Sequence, residues 1–388
     1  MIPGPTPVPE KVLQALGRHP IGHRSKDFQD LMEITTKNLQ WLHQTKNDVL
    51  TITGSGTAAM EAGMISTLSK GDKVICGENG KFGQRWVKVA KEFGLEVIKI
   101  EAEWGKPLDP ENFKTILEKD DKKEIKAVIL THSETSTGVI NDLKTISSHI
   151  RNHKKALSII DCVTSIGACN VPVDDWELDV VASGSQKGYM IPPGLSFVSM
   201  SEKAWQASEN SNLPKFYLNL KSYKKSLLSN SNPYTPAVNL VFALDESLKM
   251  MKDEGLDKIF KRHERHKLAI SEAAKTLNLK LFADENHLSP AVTAIQIEDI
   301  DAESFRKTIK NKYDILLAGG QDHLKGKIFR VGHLGYINDR NIISVIAAIG
   351  NTLVEQNKIS SLDVGNALAV ASHHLKAVSY THLTLPTT

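Results

Sequence analysis

The sequence contains little cysteine, no strong excess of charge and no long apolar stretch. Its three cysteines, Cys76, Cys162 and Cys169, cannot all pair with one another, and their spacing fits no common zinc-binding pattern. The net charge of +3 gives no broad basic field of the kind that attracts nucleic acid. Nowhere do roughly 18 apolar residues run together, and no basic segment followed by an apolar one opens the chain. We therefore expect a cytoplasmic protein without a metal site, a nucleic-acid partner, a membrane span or a secretory signal.

Short apolar segments alternate with helical stretches through the first two thirds of the sequence. The segments that read as strands are Val49–Thr53, Lys73–Cys76, Glu96–Ile100, Ala127–Thr131, Leu157–Asp161, Val180–Ser183 and Leu195–Met200. Helical patterns such as Ala58–Leu68 and Gly83–Phe93 lie between the early strands. This alternation predicts an α/β fold with a mostly parallel sheet covered on both faces.

The 388 residues are predicted to form four parts. An N-terminal arm, 1–25, precedes a large domain at 26–245 and a smaller α+β domain at 246–356. Residues 357–388 are interpreted as a tail. Its last dozen residues, 377–388, fit no element and resemble translated sequencing-adapter sequence, so we expect them to be an artefact.

A glycine turn follows the first predicted strand and opens a helix. Gly54-Ser55-Gly56-Thr57 would aim free backbone N–H groups and the positive end of the helix dipole at one point, which is typical of a phosphate site. The same segment, continued to Ala59, matches the dinucleotide fingerprint G-x-G-x-x-A, with Glu78 at the spacing of a ribose contact. An NAD-binding dehydrogenase and a tight turn without a ligand therefore stay open as alternatives.

Two charged residues follow buried strands at the edge where α/β sheets bind their ligands. Asp161 ends an apolar strand, where an unpaired carboxylate is costly to bury. It is either part of a structural salt bridge or the counter-ion of a protonated pyridine nitrogen. Lys187 lies in a Ser/Gly turn after the next strand, where partial burial would lower its pKa and make it nucleophilic. An exposed loop lysine is the alternative.

Two further segments carry polar groups that could bind a ligand. Arg330 lies inside an apolar strand and needs an anion there, either the carboxylate of a substrate or an internal acidic side chain. The hydroxyl-rich segment 131–138 could bond a ring oxygen or a phosphate, or could serve only as a turn.

Taken in order, these segments resemble the class V aminotransferases, and most of all the alanine–glyoxylate and serine–glyoxylate (serine–pyruvate) enzymes. The matching segments are PGPTPVP at 3–9, SGTAAMEA at 55–62, NGKFGQR at 79–85, THSETSTGV at 131–139, DCVTSIG at 161–167, SGSQKGYMIPPG at 183–194 and FRVGHLG at 329–335. The resemblance covers about residues 1–355. It implies the fold type I of transferases dependent on pyridoxal 5'-phosphate (PLP), with PLP as cofactor. The implied reaction is transamination of alanine or serine with glyoxylate or pyruvate.

The resemblance also implies roles for individual residues around the cofactor. Lys187 would form the Schiff base with PLP and later act as the base at the substrate α-carbon, while Asp161 would pair with the pyridinium nitrogen. Thr135 would lie near the ring and its 3-oxygen. Phe82 stands where the nearest relatives stack a tryptophan on the ring, which keeps the stacking in a looser form.

The resemblance also implies which residues contact the phosphate and the substrate. Gly56, Thr57 and Gln186 would hold the phosphate, and Arg330 would grip the substrate carboxylate. The family is a homodimer with active sites at the interface, so Thr235 would reach the phosphate of the neighbouring subunit. The arm around Gly22 would lie over the substrate. The family tyrosine near Thr235 falls on Asn232 here, which puts that phosphate contact in doubt.

Other reactions of the same fold stay open. A phosphoserine or aminoethylphosphonate transaminase would differ in loops that the sequence does not define, and a non-catalytic relative would keep the same fold. A cysteine desulfurase would need a nucleophilic cysteine in the smaller domain, yet all three cysteines precede residue 170. An NAD-binding dehydrogenase would leave Asp161, Lys187 and Arg330 unexplained.

Overall fold

The computed structural model of the chain describes residues 1–376, so the suspected artefact at 377–388 lies outside the described residues. The strands are β1 (Val49–Thr53), β2 (Lys73–Glu78), β3 (Glu96–Glu101), β4 (Ile125–Thr131), β5 (Ser133–Glu134), β6 (Val139–Ile140), β7 (Leu157–Asp161), β8 (Val180–Gly184), β9 (Leu195–Met200), β10 (Lys280–Leu281), β11 (Val292–Gln296), β12 (Ala318–Gly319) and β13 (Ile328–Gly332). The helices are α1 (Glu10–Leu16), α2 (Lys26–His43), α3 (Gly56–Thr67), α4 (Lys81–Glu92), α5 (Pro110–Glu118), α6 (Leu143–His153), α7 (Glu202–Ser208), α8 (Leu220–Leu227), α9 (Val238–Glu254), α10 (Leu256–Thr276), α11 (Ala302–Tyr313), α12 (Asp339–Glu355) and α13 (Ser361–Lys376).

Seven strands form the central sheet in the order β1-β9-β8-β7-β4-β2-β3. Strand β9 runs antiparallel to both of its neighbours, and the other four pairings are parallel. The prediction of a mostly parallel seven-stranded sheet is confirmed, and each predicted strand agrees with the structure to within two residues at either end.

The sheet is buried on both faces, which explains its continuous apolar strands. Residues 127–130 of β4 are all fully buried, as expected where helices cover both sides of a parallel strand. Helices α3 and α4 contribute to the core on one face, whereas α2, α6 and α9 contribute to the core on the other. Because β4, β7 and β8 run parallel, their carboxyl ends meet at one edge of the sheet.

The smaller part of the chain has its own antiparallel sheet, ordered β10-β11-β13-β12, and a separate core. Helix α13 belongs to that core, so the interpretation of the chain beyond 357 as a tail is wrong for this helix. Its buried residues Val364, Ala367, Ala371 and Leu375 share one face, which packs on α10 and α12. Within residues 1–376, no helix combines the length and apolar composition needed to cross a bilayer.

The predicted division between the two domains differs from the structure, and the N-terminal arm contains a helix. The division at 245/246 falls inside α9, whereas the packing changes at Gly255, whose positive φ of 83° separates α9 from α10. Helix α9 packs on α1 and α2, and α10 packs on α12 and α13. The arm is also not wholly extended, because α1 buries Val12 against the large-domain core.

Candidate active site

Seven of the ten predicted site residues line one cavity at the carboxyl edge of the large sheet. The cavity lies beyond β4, β7 and β8 and against the first turns of α3 and α4. The seven residues are Gly56, Thr57, Phe82, Thr135, Asp161, Gln186 and Lys187. They come from five separate segments, so the fold assembles a site that spans about 130 residues of sequence.

Lys187 lies in the loop after β8 with 9% of its surface exposed. Its Nζ donates a hydrogen bond to the carbonyl oxygen of Pro3 at 2.6 Å. Burial lowers the pKa of the Lys187 amine to about 8, and the nearby positive charge of Arg330 acts in the same direction. The N-terminal segment must approach closely, because a Cβ at Gly4 would lie 2.6 Å from Lys187 Nζ. The alternative of an exposed loop lysine is therefore wrong.

Asp161 is the last residue of β7 and is 4% exposed. Its Oδ1 accepts a hydrogen bond from the Val163 N–H at 2.9 Å. Burial raises the pKa of the carboxyl to about 6, so an ionised Asp161 calls for a cation in the cavity. In the described chain it forms no ion pair within 4 Å, which argues against the alternative of a structural salt bridge.

The start of α3 provides an anion-binding cup. Ser55 is the N-cap residue but its side chain makes no capping bond, so the first N–H groups of the helix face the cavity without that partner. Gly56 is required there, because a Cβ would lie 2.9 Å from Val163 Cγ2. The amide group of Gln186 lines the same cavity, where its NH2 is the group that can donate to an anion.

Arg330 lies on β13 of the smaller sheet, next to the cavity but outside its wall. Its Nη1 donates to the carbonyl oxygen of Thr135 at 2.9 Å, and its Nε donates to that of Gly319 at 2.9 Å. Burial lowers the pKa of the guanidinium to about 10. Among residues 1–376 no carboxylate lies within 4 Å of it, so the internal ion pair considered for this residue is not formed.

The other two predicted site residues also lie outside the cavity wall. Thr235 and Gly22 are both exposed. Glu78, which the dinucleotide interpretation placed on a ribose, does not reach the cavity wall and lies 3.6 Å from Lys99 on the neighbouring strand.

Glu134 was not predicted as a site residue, yet it organises one wall of the cavity. It is fully buried, and its Oε2 accepts hydrogen bonds from the Phe82 and Gly83 N–H groups, each at 3.0 Å. Its Oε1 accepts two more from Ser136. Gly80 precedes α4 without a capping side chain, and a Cβ there would lie 2.3 Å from Glu134 Cγ. The Glu134 side chain therefore caps the N-terminus of α4, the helix that carries Phe82, in place of a side chain at Gly80.

We expect Glu134→Gln to weaken cofactor retention as well as folding. Glutamine has one acceptor oxygen, so at least one buried donor loses its partner and the free energy of unfolding falls by about 2 kcal/mol. Asp179→Asn is the matched control: Asp179 is a buried carboxylate that accepts from Ser158 N–H at 3.0 Å, at the opposite edge of the sheet. Thermal unfolding should show a loss in both variants, and cofactor titration a loss only in Glu134→Gln. Equal cofactor affinity in the two variants would contradict this role.

Arg85 also lines the cavity and was missed by the sequence reasoning. It follows Phe82 by three residues on α4, a spacing that places both side chains on one helix face. That spacing could have indicated it from the sequence. The hydrogen bond from Lys187 to the Pro3 carbonyl could not be predicted from the sequence, because every residue carries a carbonyl group.

The residues of the cavity fit the chemistry of PLP. The unsatisfied helix start suits a phosphate, and the buried carboxylate of Asp161 suits a protonated ring nitrogen. Lys187 offers an amine whose pKa is already lowered, as a nucleophile for an aldehyde requires. Phe82 supplies an aromatic wall. Among residues 1–376 no group of three or more His, Cys, Asp or Glu side chains is arranged to hold a metal ion.

Comparisons with known proteins identify the family of this chain. The chain is 57% identical over 376 residues to the soluble hydrogenase 42 kDa subunit of Anabaena cylindrica, covering 96% of this chain and 98% of that protein. It is 33% identical to the serine–glyoxylate aminotransferase of Methylorubrum extorquens, covering 97% and 95%. Its fold matches the crystal structure of ureidoglycine–glyoxylate aminotransferase from Bacillus subtilis with a TM-score of 0.89 and 32% identity, over 96% and 97% of the two chains. The sequence profile described as Aminotransferase class-V matches residues 3–333. The chain therefore belongs to the class V aminotransferases, a family of PLP-dependent enzymes.

Proposed function

We propose that this protein transfers the amino group of a small amino acid, alanine or serine, to glyoxylate or pyruvate. The observation that carries the proposal is the convergence of Lys187, Asp161 and the start of α3 on one cavity, with Arg330 beside it. The proposed acceptor is supported by the similarity to relatives named as glyoxylate aminotransferases.

Lys187 and Asp161 have different tasks in this proposal. PLP, when bound, supplies a ring that accepts the electron pair left behind when the substrate loses its α-proton. Lys187 holds the cofactor and then moves that proton, because an amine with a pKa of about 8 can both accept and return it near neutral pH. Asp161 keeps a proton on the ring nitrogen, since the buried carboxylate is ionised at lowest cost beside a cation.

The remaining predicted contacts complete the cofactor site. Gly56, Thr57 and Gln186 bind the phosphate, Phe82 stacks on the ring and Thr135 lies beside the ring oxygen. The Thr135 hydroxyl already shares a hydrogen bond with Thr164 at 2.8 Å, which fixes its position on the cavity wall.

Arg330 binds the α-carboxylate that every substrate of the reaction shares. Its two hydrogen bonds to backbone carbonyls hold the guanidinium in place before substrate arrives, which reduces the entropy lost on binding. No neighbouring acidic side chain within 4 Å competes for it in the described chain.

We expect Arg330→Ala to raise KM for the amino donor by about 10- to 100-fold, because charge-assisted hydrogen bonds to the carboxylate are lost. Arg306→Ala is the control, since Arg306 also donates to a backbone carbonyl, that of Leu317, but lies outside the cavity. Steady-state kinetics with varied donor concentration measures the effect. A lower melting temperature with unchanged KM would mean that Arg330 is only structural.

We also propose a homodimer in the cytoplasm. The exposed positions of Thr235 and Gly22 leave them available to a second subunit, where Thr235 contacts the partner's phosphate and the arm at Gly22 covers the substrate. The three cysteines are free thiols, which suits a reducing compartment.

A matrix of amino donors and oxo-acid acceptors on the purified protein tests the proposed reaction. We expect alanine or serine with glyoxylate to give the highest rate of glycine formation. The alternatives, phosphoserine and aminoethylphosphonate, belong in the same matrix. Preferred turnover of either phosphorus-containing donor would contradict the assignment to small amino acids and leave the transaminase chemistry intact.

A further inference from the structure

The predicted phosphate ligands of this site are all electrically neutral. Gly56, Thr57 and Gln186 offer N–H groups, a hydroxyl and an amide, and the start of α3 adds about half a positive charge. A phosphate monoester carries about 1.5 to 2 negative charges near pH 7. The neutral ligands and the helix dipole therefore leave most of that charge without compensation.

We propose that Arg85 is the cationic phosphate-binding residue of the site. This inference rests on the proposed function, because it assumes that PLP is the ligand. Arg85 lines the same cavity as Thr57, and its Nη1 donates to the Thr57 hydroxyl at 3.4 Å. Since Thr57 is the second residue of α3, this contact places the guanidinium beside the anion-binding cup.

The other cations near the cavity are already engaged. Lys187 is assigned to the cofactor aldehyde, and Arg330, which donates to two backbone carbonyls, is assigned to the substrate carboxylate. Lys81, at the start of α4, pairs with Asp322 at 2.7 Å. Arg85 has no carboxylate within 4 Å among residues 1–376, so it is the cation that remains available to a phosphate.

The Arg85 side chain is oriented by a contact with an aromatic ring and is not part of the buried core. Its guanidinium carbon lies 4.8 Å from the centre of the Phe82 ring, a cation–π distance. The side chain is otherwise exposed. Arg85 therefore contacts both the Phe82 ring, which would stack on the cofactor, and Thr57 in the anion-binding cup. Because its side chain is exposed, replacing Arg85 should change the free energy of unfolding little.

On charge alone, Arg85 could equally bind the side-chain carboxylate of a dicarboxylic donor. The contact with Thr57 favours the phosphate, because the substrate arginine donates to Thr135, in a different segment of the site. The two roles make opposite predictions for ligands that lack a phosphate.

Binding of PLP and of pyridoxal to the full-length chain freed of cofactor separates these roles, because pyridoxal keeps the ring and the aldehyde but has no phosphate. In Arg85→Gln we expect the Kd for PLP to rise by about 10- to 100-fold, with less than about 3-fold change for pyridoxal. Arg85→Lys should recover part of the loss, since it keeps the charge without the planar fork. Lys88→Gln removes a positive charge from the next turn of α4 and should change neither Kd.

An equal loss for PLP and pyridoxal in Arg85→Gln would overturn the inference, because it would trace the effect to packing on Phe82. Unchanged PLP affinity with a raised KM for aspartate would also overturn it and assign Arg85 to substrate binding. Failure of the unmodified chain to bind PLP would instead contradict the proposed function itself. The two failures are thus distinguishable in one set of titrations.

Discussion

Replacing Lys187 with alanine is expected to lower turnover by at least about 10⁴-fold, because the same amine holds the cofactor and moves the substrate proton. The structure prepares it for both tasks by burying it and by offering its Nζ a neutral acceptor, the Pro3 carbonyl. Glycine formation from glyoxylate measures the loss, and the absorbance of the purified variant reports whether cofactor is still held.

Lys203→Ala is the control for Lys187→Ala. Lys203 Nζ also donates to a backbone carbonyl, that of Ala156 at 2.6 Å, but it lies at the other edge of the sheet. A loss of activity confined to Lys187→Ala assigns the effect to chemistry. Normal turnover in Lys187→Ala would remove the basis of the proposed mechanism.

The second large effect is expected for Asp161→Asn, with a loss of activity and a gain of stability. Asparagine does not hold the ring nitrogen in its protonated form, so we expect turnover to fall by about 10²- to 10⁴-fold. Burial raises the pKa of Asp161 from 3.8 to about 6 in the folded, cofactor-free chain, so the unfolded state releases this proton more readily. The ionised carboxylate therefore destabilises the cofactor-free fold above about pH 6, and this cost disappears as the pH falls below about 4.

Asp161→Asn should accordingly raise the free energy of unfolding of the cofactor-free chain by roughly 3 kcal/mol at pH 7, and by less than about 1 kcal/mol at pH 4. Chemical denaturation at the two pH values checks the stability, and steady-state kinetics checks the rate. Asp179→Asn serves as the control, because its carboxylate accepts hydrogen bonds from Ser158 and Ser201 and its replacement should reduce stability without reducing turnover. A fully active Asp161→Asn variant would mean that Asp161 is structural.

The features of the fold and the site that follow from the sequence are those encoded over short distances. The strands of the large sheet are continuous apolar runs, and β1, β7 and β9 agree with prediction at both ends. Asp161 and Lys187 are conspicuous because each places a charge just after such a run. A charged residue there is costly unless a ligand or partner compensates it, so the exception marks the site.

The contacts that the sequence does not encode locally were not predicted. Glu134 accepts hydrogen bonds from Phe82 and Gly83 across about 50 residues, and the capping function appears only when β5 and α4 lie side by side. The role proposed for Arg85 depends on its contact with Thr57, which lies on another helix. Helix α13 was missed although its buried positions recur at helical spacing, because the segment was grouped with the aberrant residues that follow it.

Reductive trapping with sodium borohydride tests the central claim most directly. The reagent fixes the cofactor to the amine that holds it, and mass spectrometry of the digested protein then identifies the modified residue. We predict a single phosphopyridoxyl-modified peptide, with the modification on Lys187. Modification of a different lysine, or none in a protein that forms glycine from glyoxylate, would contradict the account.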